Sequence, residues 1–362
     1  MKIATKRAVT AASALLLLAG TLTACSTTDN GSGGDGAGDS SKKIALLLPE
    51  SKTTRYEAYD RPLFEAKVKE LCADCEVIYS NADQDAAKQQ QQAESALTQG
   101  IAVMVLDPVD SSAAASIVNS AKAQDVPVIS YDRLINSSDL SFYLSFDNEK
   151  VGELQGQAFV DKLAADGNAS GDIVMINGSP TDNNATLFKK GAHNIIDASD
   201  YKVVAEFDTP DWSPDKAQEW MAGQVTQFGD KLVGVYAAND GTAGGAIAAM
   251  KAAGVTPLPP VTGQDAELPA IQRIVAGDQF MTIYKALKLE AETAAQLAVD
   301  VVNGTALKGE SADTNGVPTT LLNPVVVTLD NIMDTVVKDG FYKVSDICTA
   351  DYAAACTAAG IK

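Results

Sequence analysis

From Lys43 onward, short apolar runs alternate with longer stretches in which apolar residues return every three or four positions. The first pattern predicts strands and the second amphipathic helices. Strands are expected over 44–48, 77–79, 103–106 and 126–131. Helices are expected from about 55 to 71, 86 to 99 and 112 to 123. In the second of these Ala93, Ala96 and Leu97 form the apolar face, and the run Gln89 to Gln92 is assigned to a solvated face. The strands are apolar at every position, as in parallel strands buried on both sides. Repeated βα units imply a doubly wound parallel sheet with right-handed crossovers.

The pattern then restarts. Strands are predicted over 173–176, 203–207, 233–237 and 260–262, with helices near 184–196, 215–227, 242–253 and 270–276. A long helix from about 285 to 302 and a strand over 324–327 follow. The roughly 320 residues concerned are too many for one ordinary core. The expected fold class is α/β, with two doubly wound parallel-sheet lobes. One comprises 43–145 plus 287–322, the other 147–284 plus 324–362, and the chain crosses between them three times.

The region before Lys43 has a different character. Lys2, Lys6 and Arg7 precede the apolar stretch around Leu15 to Leu18, and Leu22-Thr23-Ala24-Cys25 follows. A basic segment, an apolar segment and a small-residue cleavage site form a secretory signal, here 1–24. A cysteine at the cut resembles a bacterial lipobox, so Cys25 is the expected lipidation site. A cleaved signal with an incidental cysteine and an uncleaved anchor are the alternatives. The apolar run falls short of the ~20 residues of a spanning helix. Residues 25–42, rich in Gly and Ser, are expected to be a flexible tether. The protein should therefore be exported and lipid-anchored, facing the extracytoplasmic side.

The formal net charge is −19, from 28 basic and 47 acidic residues, and the leader carries only basic ones. So acidic a chain argues against a nucleic-acid partner and against docking on anionic lipid by charge. Four cysteines remain beyond Cys25, in two local pairs, Cys72 with Cys75 and Cys348 with Cys356. In an exported protein an even count suggests disulfides. The CxxC spacing of the first pair also fits a redox motif or half a zinc site. However, the only histidine, His193, is remote, and this pair closes a helix before a strand instead of opening one after a strand. No metal or cofactor is expected.

Polar and aromatic residues follow nearly every predicted strand: Arg55 and Tyr56, Asp132 and Arg133, Asp182 and Asn184, Trp212, Asn239 and Asp240, Gln264 and Asp265, and Lys285. In open parallel sheets, ligands bind outside the carboxyl ends of the strands. The chemistry suits a neutral polyol. Each hydroxyl both donates and accepts, so it takes a carboxylate or amide on one side and a cation or amide N–H on the other. Trp212 and Tyr56 could cover the apolar C–H face. Singly, Asp182, Asp240 and Asp265 could equally be helix N-caps, Asp132 and Arg133 a surface ion pair, and Trp212 ordinary core.

The words around these positions are specific. Tyr131-Asp132-Arg133-Leu134-Ile135-Asn136, Gly178-Ser179-Pro180-Thr181-Asp182-Asn183-Asn184, Asn239-Asp240-Gly241-Thr242-Ala243-Gly244 and Gly263-Gln264-Asp265-Ala266 resemble the D-xylose-binding proteins of bacterial ABC transporters. The resemblance runs from Lys43 to about Ser345. It implies a type I periplasmic-binding-protein fold with a three-segment hinge. It also implies a pentose held by Arg55, Asp132, Arg133, Asp182, Asn184, Asn239, Asp265 and Lys285 between Tyr56 and Trp212. Tyr56 departs from the Trp usual in that family. Residues 51–55 and 257–267 look more like the related proteins that accept glucose, galactose and arabinose. The tail with Cys348 and Cys356 lies outside the family pattern.

The implied protein is a monomeric solute-binding lipoprotein that delivers a monosaccharide, D-xylose foremost, to a membrane permease. A multi-sugar binding protein and a sensor-coupled receptor are the alternatives. Three other classes fit less well. A glycosidase needs two carboxylates ~5–10 Å apart across the scissile bond, and the sequence singles out no such pair. A sugar-sensing regulator would carry a helix-turn-helix before the first lobe; this chain has a leader there instead. No GxxxxGK[ST] phosphate loop occurs.

Overall fold

Lys43–Leu48 shows why the apolar runs are continuous. Ile44, Leu46 and Leu48 pack into one core layer and Ala45 and Leu47 into another, on opposite faces of one sheet. The computed structural model describes residues 42–361, within a unit spanning Ser40–Lys362. The leader 1–24, Cys25 and nearly all of the tether lie outside the described residues.

In chain order the strands are β1 (Lys43–Leu48), β2 (Glu76–Asn81), β3 (Val103–Leu106), β4 (Val128–Tyr131) and β5 (Phe142–Phe146), then β6 (Gly171–Asn177), β7 (Tyr201–Asp208) and β8 (Leu232–Ala237). β9 (Met281–Tyr284), β10 (Thr319–Leu322) and β11 (Val325–Thr328) complete them. The helices are α1 (Arg61–Leu71), α2 (Ala86–Thr98), α3 (Ala115–Lys122), α4 (Asn148–Ala165), α5 (Asn183–Ile196) and α6 (Pro214–Phe228). α7 (Asp240–Ala252), α8 (Leu268–Ala276), α9 (Leu287–Val302) and the short α10 (Val344–Ile347) and α11 (Ala353–Ala358) follow.

The first sheet is parallel throughout, in the order β10-β5-β4-β3-β1-β2. α1 and α9 pack together on one side of it, α2 and α3 on the other. The second sheet has β7-β6-β8 in parallel. It continues through single parallel bridges, Val235 to Val261 and Gln264 to Ile283, to β9 and the antiparallel β11. α4 and α5 lie together on one face, α6 and α7 on the other. α4 and α5 touch backbone to backbone at Gly152, where a Cβ would run into the Phe188 carbonyl. The chain passes between the sheets after β5, after β9 and between β10 and β11.

Several expectations need correction. Gln89 is buried, not solvated. Its amide donates to the Asp107 carbonyl (2.8 Å) and accepts from the Val109 N–H (2.9 Å), tying α2 to the loop after β3. The helix expected from Arg55 opens as a π-helical turn, Tyr56–Asp60, before α1. The strand expected over 260–262 pairs only at isolated positions, and Pro260 has no N–H to give a ladder. α4, β5 and β10 were not anticipated. Cys72 is bonded to Cys75 between α1 and β2, and Cys348 to Cys356 in the tail.

Candidate functional site

The carboxyl ends of both sheets face one cavity. Thr53, Arg55 and Tyr56 reach it from the loop after β1, and Asp132 and Arg133 from the end of β4. The second sheet supplies Asp182, Asn184 and Phe188 after β6, Trp212 after β7 and Asn239 after β8. Gln264, Asp265 and Lys285 complete the wall. The ten residues implied by the resemblance all line it, and so does Gln264 from the strand-end set, whereas Asp240 from that set does not. Thr53 and Phe188 were in neither set. The space between these residues, open solvent at its mouth included, is about 280 Å³.

Each cation is fixed from behind. Arg55 donates to Asp60 from Nε (2.9 Å) and Nη2 (2.7 Å), and from Nη2 to Glu290 (2.7 Å). That leaves Nη1 toward the cavity, 3.3 Å from Asp132 Oδ2. Arg133 donates from Nη2 to the Tyr56 hydroxyl (3.0 Å) and from Nη1 to the Pro108 carbonyl (3.3 Å). Its Nε stands 3.1 Å from Asp182 Oδ2 and 3.6 Å from Asp107 Oδ1, and its Nη2 lies 3.7 Å from Glu50 Oε1. Lys285 Nζ lies 2.9 Å from Asp265 Oδ1.

These pairs set the protonation states. Burial alone would raise the Asp132 carboxyl, but Arg55, Lys285 and Arg133 outweigh it and hold it below the usual carboxylate range. Burial would discharge Lys285, yet Asp265 and Asp132 keep it a firm cation. Burial raises Asp182, and Arg133 offsets only part of this. The cavity wall carries three cations, Arg55, Arg133 and Lys285, against three aspartates. A balanced wall suits a neutral ligand.

The candidate caps separate clearly. Asp182 caps α5, its Oδ1 accepting from the Asn184 N–H (2.8 Å), and its Oδ2 accepts from Trp212 Nε1 (3.0 Å). It is therefore both a cap and a wall residue. Asn239 caps α7, Oδ1 accepting from the Thr242 N–H (2.9 Å). Asp240 is neither cap nor wall. It lies inside, accepting from Gln279 (2.7 Å) and Thr282 (2.9 Å). Asp265 is not a cap either, because α8 begins after Glu267. Trp212 is core and wall at once, packed edge-on against Phe188 with ring centres 6.3 Å apart. Gly178 makes room for it, since a Cβ there would enter the indole.

Six buried polar atoms at this cavity lack aligned hydrogen bonds: Arg55 Nη1, Asp132 Oδ1, Arg133 Nε, Asn184 Oδ1, Gln264 Oε1 and Asp265 Oδ1. Both donors and acceptors are among them, as a ring of hydroxyls requires. Phe188 sits four residues after Asn184 on α5, so helical spacing could have found it. Gln264 adjoins Asp265 at a strand end. Thr53 carries no comparable signal. Among the described residues, no group of three or more His, Cys, Asp or Glu is placed to hold a metal ion.

Comparison with known proteins agrees with this fold. Residues 44–306 match the family model for the periplasmic binding protein domain. The chain is 39% identical over 312 residues to the D-xylose-binding periplasmic protein of Escherichia coli K12, covering 84% of this chain and 92% of that one. It is 37% identical to the D-xylose-binding periplasmic protein of Haemophilus influenzae, over 91% and 97% of the two chains. The fold superposes on an ABC transporter solute-binding protein from Clostridium phytofermentans with bound β-D-glucose. The TM-score is 0.77 at 28% identity, covering 84% of this chain and 99% of that one. With a family model spanning most of the described residues and relatives aligned over nearly their whole length, the chain belongs to the periplasmic binding protein family.

Proposed function

We propose that the cavity binds a monosaccharide, D-xylose first among candidates, for delivery to the permease of an ABC transporter. As a member of its family the protein is a binding component, not an enzyme. The observation that carries the sugar reading is the set of buried donors and acceptors left without aligned hydrogen bonds around a small, charge-balanced space with Tyr56, Phe188 and Trp212 in its wall. The two sheets then act as lobes, about 43–145 plus 287–322 and 147–284 plus 324–362. The three crossings serve as a hinge, and the sugar selects the closed form. The arrangement needs no cofactor and one copy of the chain.

Titrating ligand-stripped protein with xylose, arabinose, ribose, glucose and galactose tests this. Xylose is expected to bind tightest. Heat from none of the five would overturn the sugar reading. Equal affinity for glucose and xylose would favour the multi-sugar alternative, which the glucose-bound structural relative makes concrete.

Cys25 is proposed as the lipidated N-terminus of the exported chain. Cys25→Ser should release a soluble, sugar-binding protein from membranes. Retention like that of the wild type would contradict the anchor.

A further inference from the structure

The C-terminal tail has no part in the site as described so far, yet it reaches the backbone that carries Asp265. Asp265 and Ala266 are consecutive non-glycine residues with positive φ, 93° and 49°. L-residues seldom adopt this conformation, and it persists only where surrounding contacts determine it. The N–H groups of the turn are tied within the second sheet. Asp265 N donates to the Ile283 carbonyl (2.8 Å), Ala266 N to Thr282 Oγ1 (3.1 Å) and Glu267 N to Asp240 Oδ2 (2.9 Å). The Ala266 carbonyl accepts from the tail, from the buried Tyr342 hydroxyl at 3.0 Å.

The tail is built to hold that hydroxyl in place. Ile347 and Cys356, the latter bonded to Cys348, pack in one core with Ala266 and with Ile271 and Ile274 of α8. Gln272 donates to the Asp346 carbonyl at 3.2 Å. Phe341 packs at a tilt against Tyr284, next to Lys285, with ring centres 5.3 Å apart. It also packs at a tilt against Tyr59, in the same turn as Tyr56, at 4.5 Å. The tail thus touches the segments bearing Tyr56, Asp265 and Lys285 without lining the cavity.

We propose that Tyr342 is a positioning residue for Asp265, and that the disulfide-closed tail exists to hold the Asp265-Ala266 turn in its ligand-ready form. The inference rests on the sugar-binding reading of the cavity.

The test is calorimetric titration of D-xylose into the wild type, Tyr342→Phe, Asp265→Ala and the double variant. Tyr342→Phe keeps the ring in its aromatic cluster and removes the hydroxyl's bond to the Ala266 carbonyl together with its contact to Tyr59. It should weaken binding about threefold to tenfold and have no further effect once Asp265 is gone. Phe341→Leu loosens the same cluster but spares the hydrogen bond. It should lower the melting temperature and cost less affinity than Tyr342→Phe. Unchanged affinity in Tyr342→Phe, an equal loss in the Asp265→Ala background, or an equal loss in Phe341→Leu would each overturn the proposal. A wild type that binds no sugar in the panel removes the sugar reading as well. A wild type that binds while Tyr342→Phe binds equally well removes this inference alone.

Discussion

Arg55 is among the largest fully buried side chains of the protein. A buried guanidinium is tolerable only when paired on every side. Asp60, Glu290 and Asp132 surround it and together hold its proton more firmly than usual against the opposing effect of burial. Asp60 is the bidentate partner and also accepts from the Tyr131 hydroxyl. Asp60→Asn should therefore destabilise the protein by about 3 kcal/mol, the low end for breaking a buried pair, because two other carboxylates remain. Urea unfolding measures this, and a loss under ~1 kcal/mol would show that Asp60 is not the anchor. The raised Glu290 carboxyl, pushed up chiefly by burial, makes Asp60 the more informative position.

At the scale of elements, what could be read from the sequence followed physical regularity. β1 from Ile44 onward, β3 and β4 are buried on both faces, so their mostly apolar runs stood out. α4 was missed because its buried face includes Gly152, Gln155 and Gly156, which give little amphipathic contrast. β10 was missed because it opens with Thr319 and Thr320. Gln89 was misplaced because a buried amide that satisfies two backbone groups looks, in sequence, like any solvated glutamine. The ten predicted site residues came together because strand ends converge by topology, a rule that needs no side-chain detail. Thr53 escaped that rule in an irregular loop. Choosing between cap and ligand for Asp182, Asp240 and Asp265 required the helix starts themselves, which patterning places only to within a few residues.

At the scale of the whole molecule, the cavity belongs to neither sheet alone. Asn184, from the second, donates to the Asp132 carbonyl of the first at 3.0 Å. The Ser111 N–H donates to the Thr181 carbonyl at 3.0 Å, and the Thr54 N–H to Glu267 at 3.2 Å. These bonds close the rim, while the wall inside keeps six polar atoms without an aligned hydrogen bond, three of them held only by ion pairs. On the proposed reading the sugar completes the hydrogen bonding that closure leaves undone. It would bridge Arg133 on one side and Asp265 on the other.

Asp265→Ala tests that claim most directly, with D-xylose affinity measured beside the folded state of the unliganded variant. Asp265 caps no helix and faces the cavity with Lys285. Losing a charge-assisted acceptor costs about 1.5–3 kcal/mol of binding. Affinity should therefore fall at least ~10-fold while circular dichroism still reports a folded protein. A folded variant that binds D-xylose as tightly as the wild type would contradict the assignment of this cavity as the sugar site.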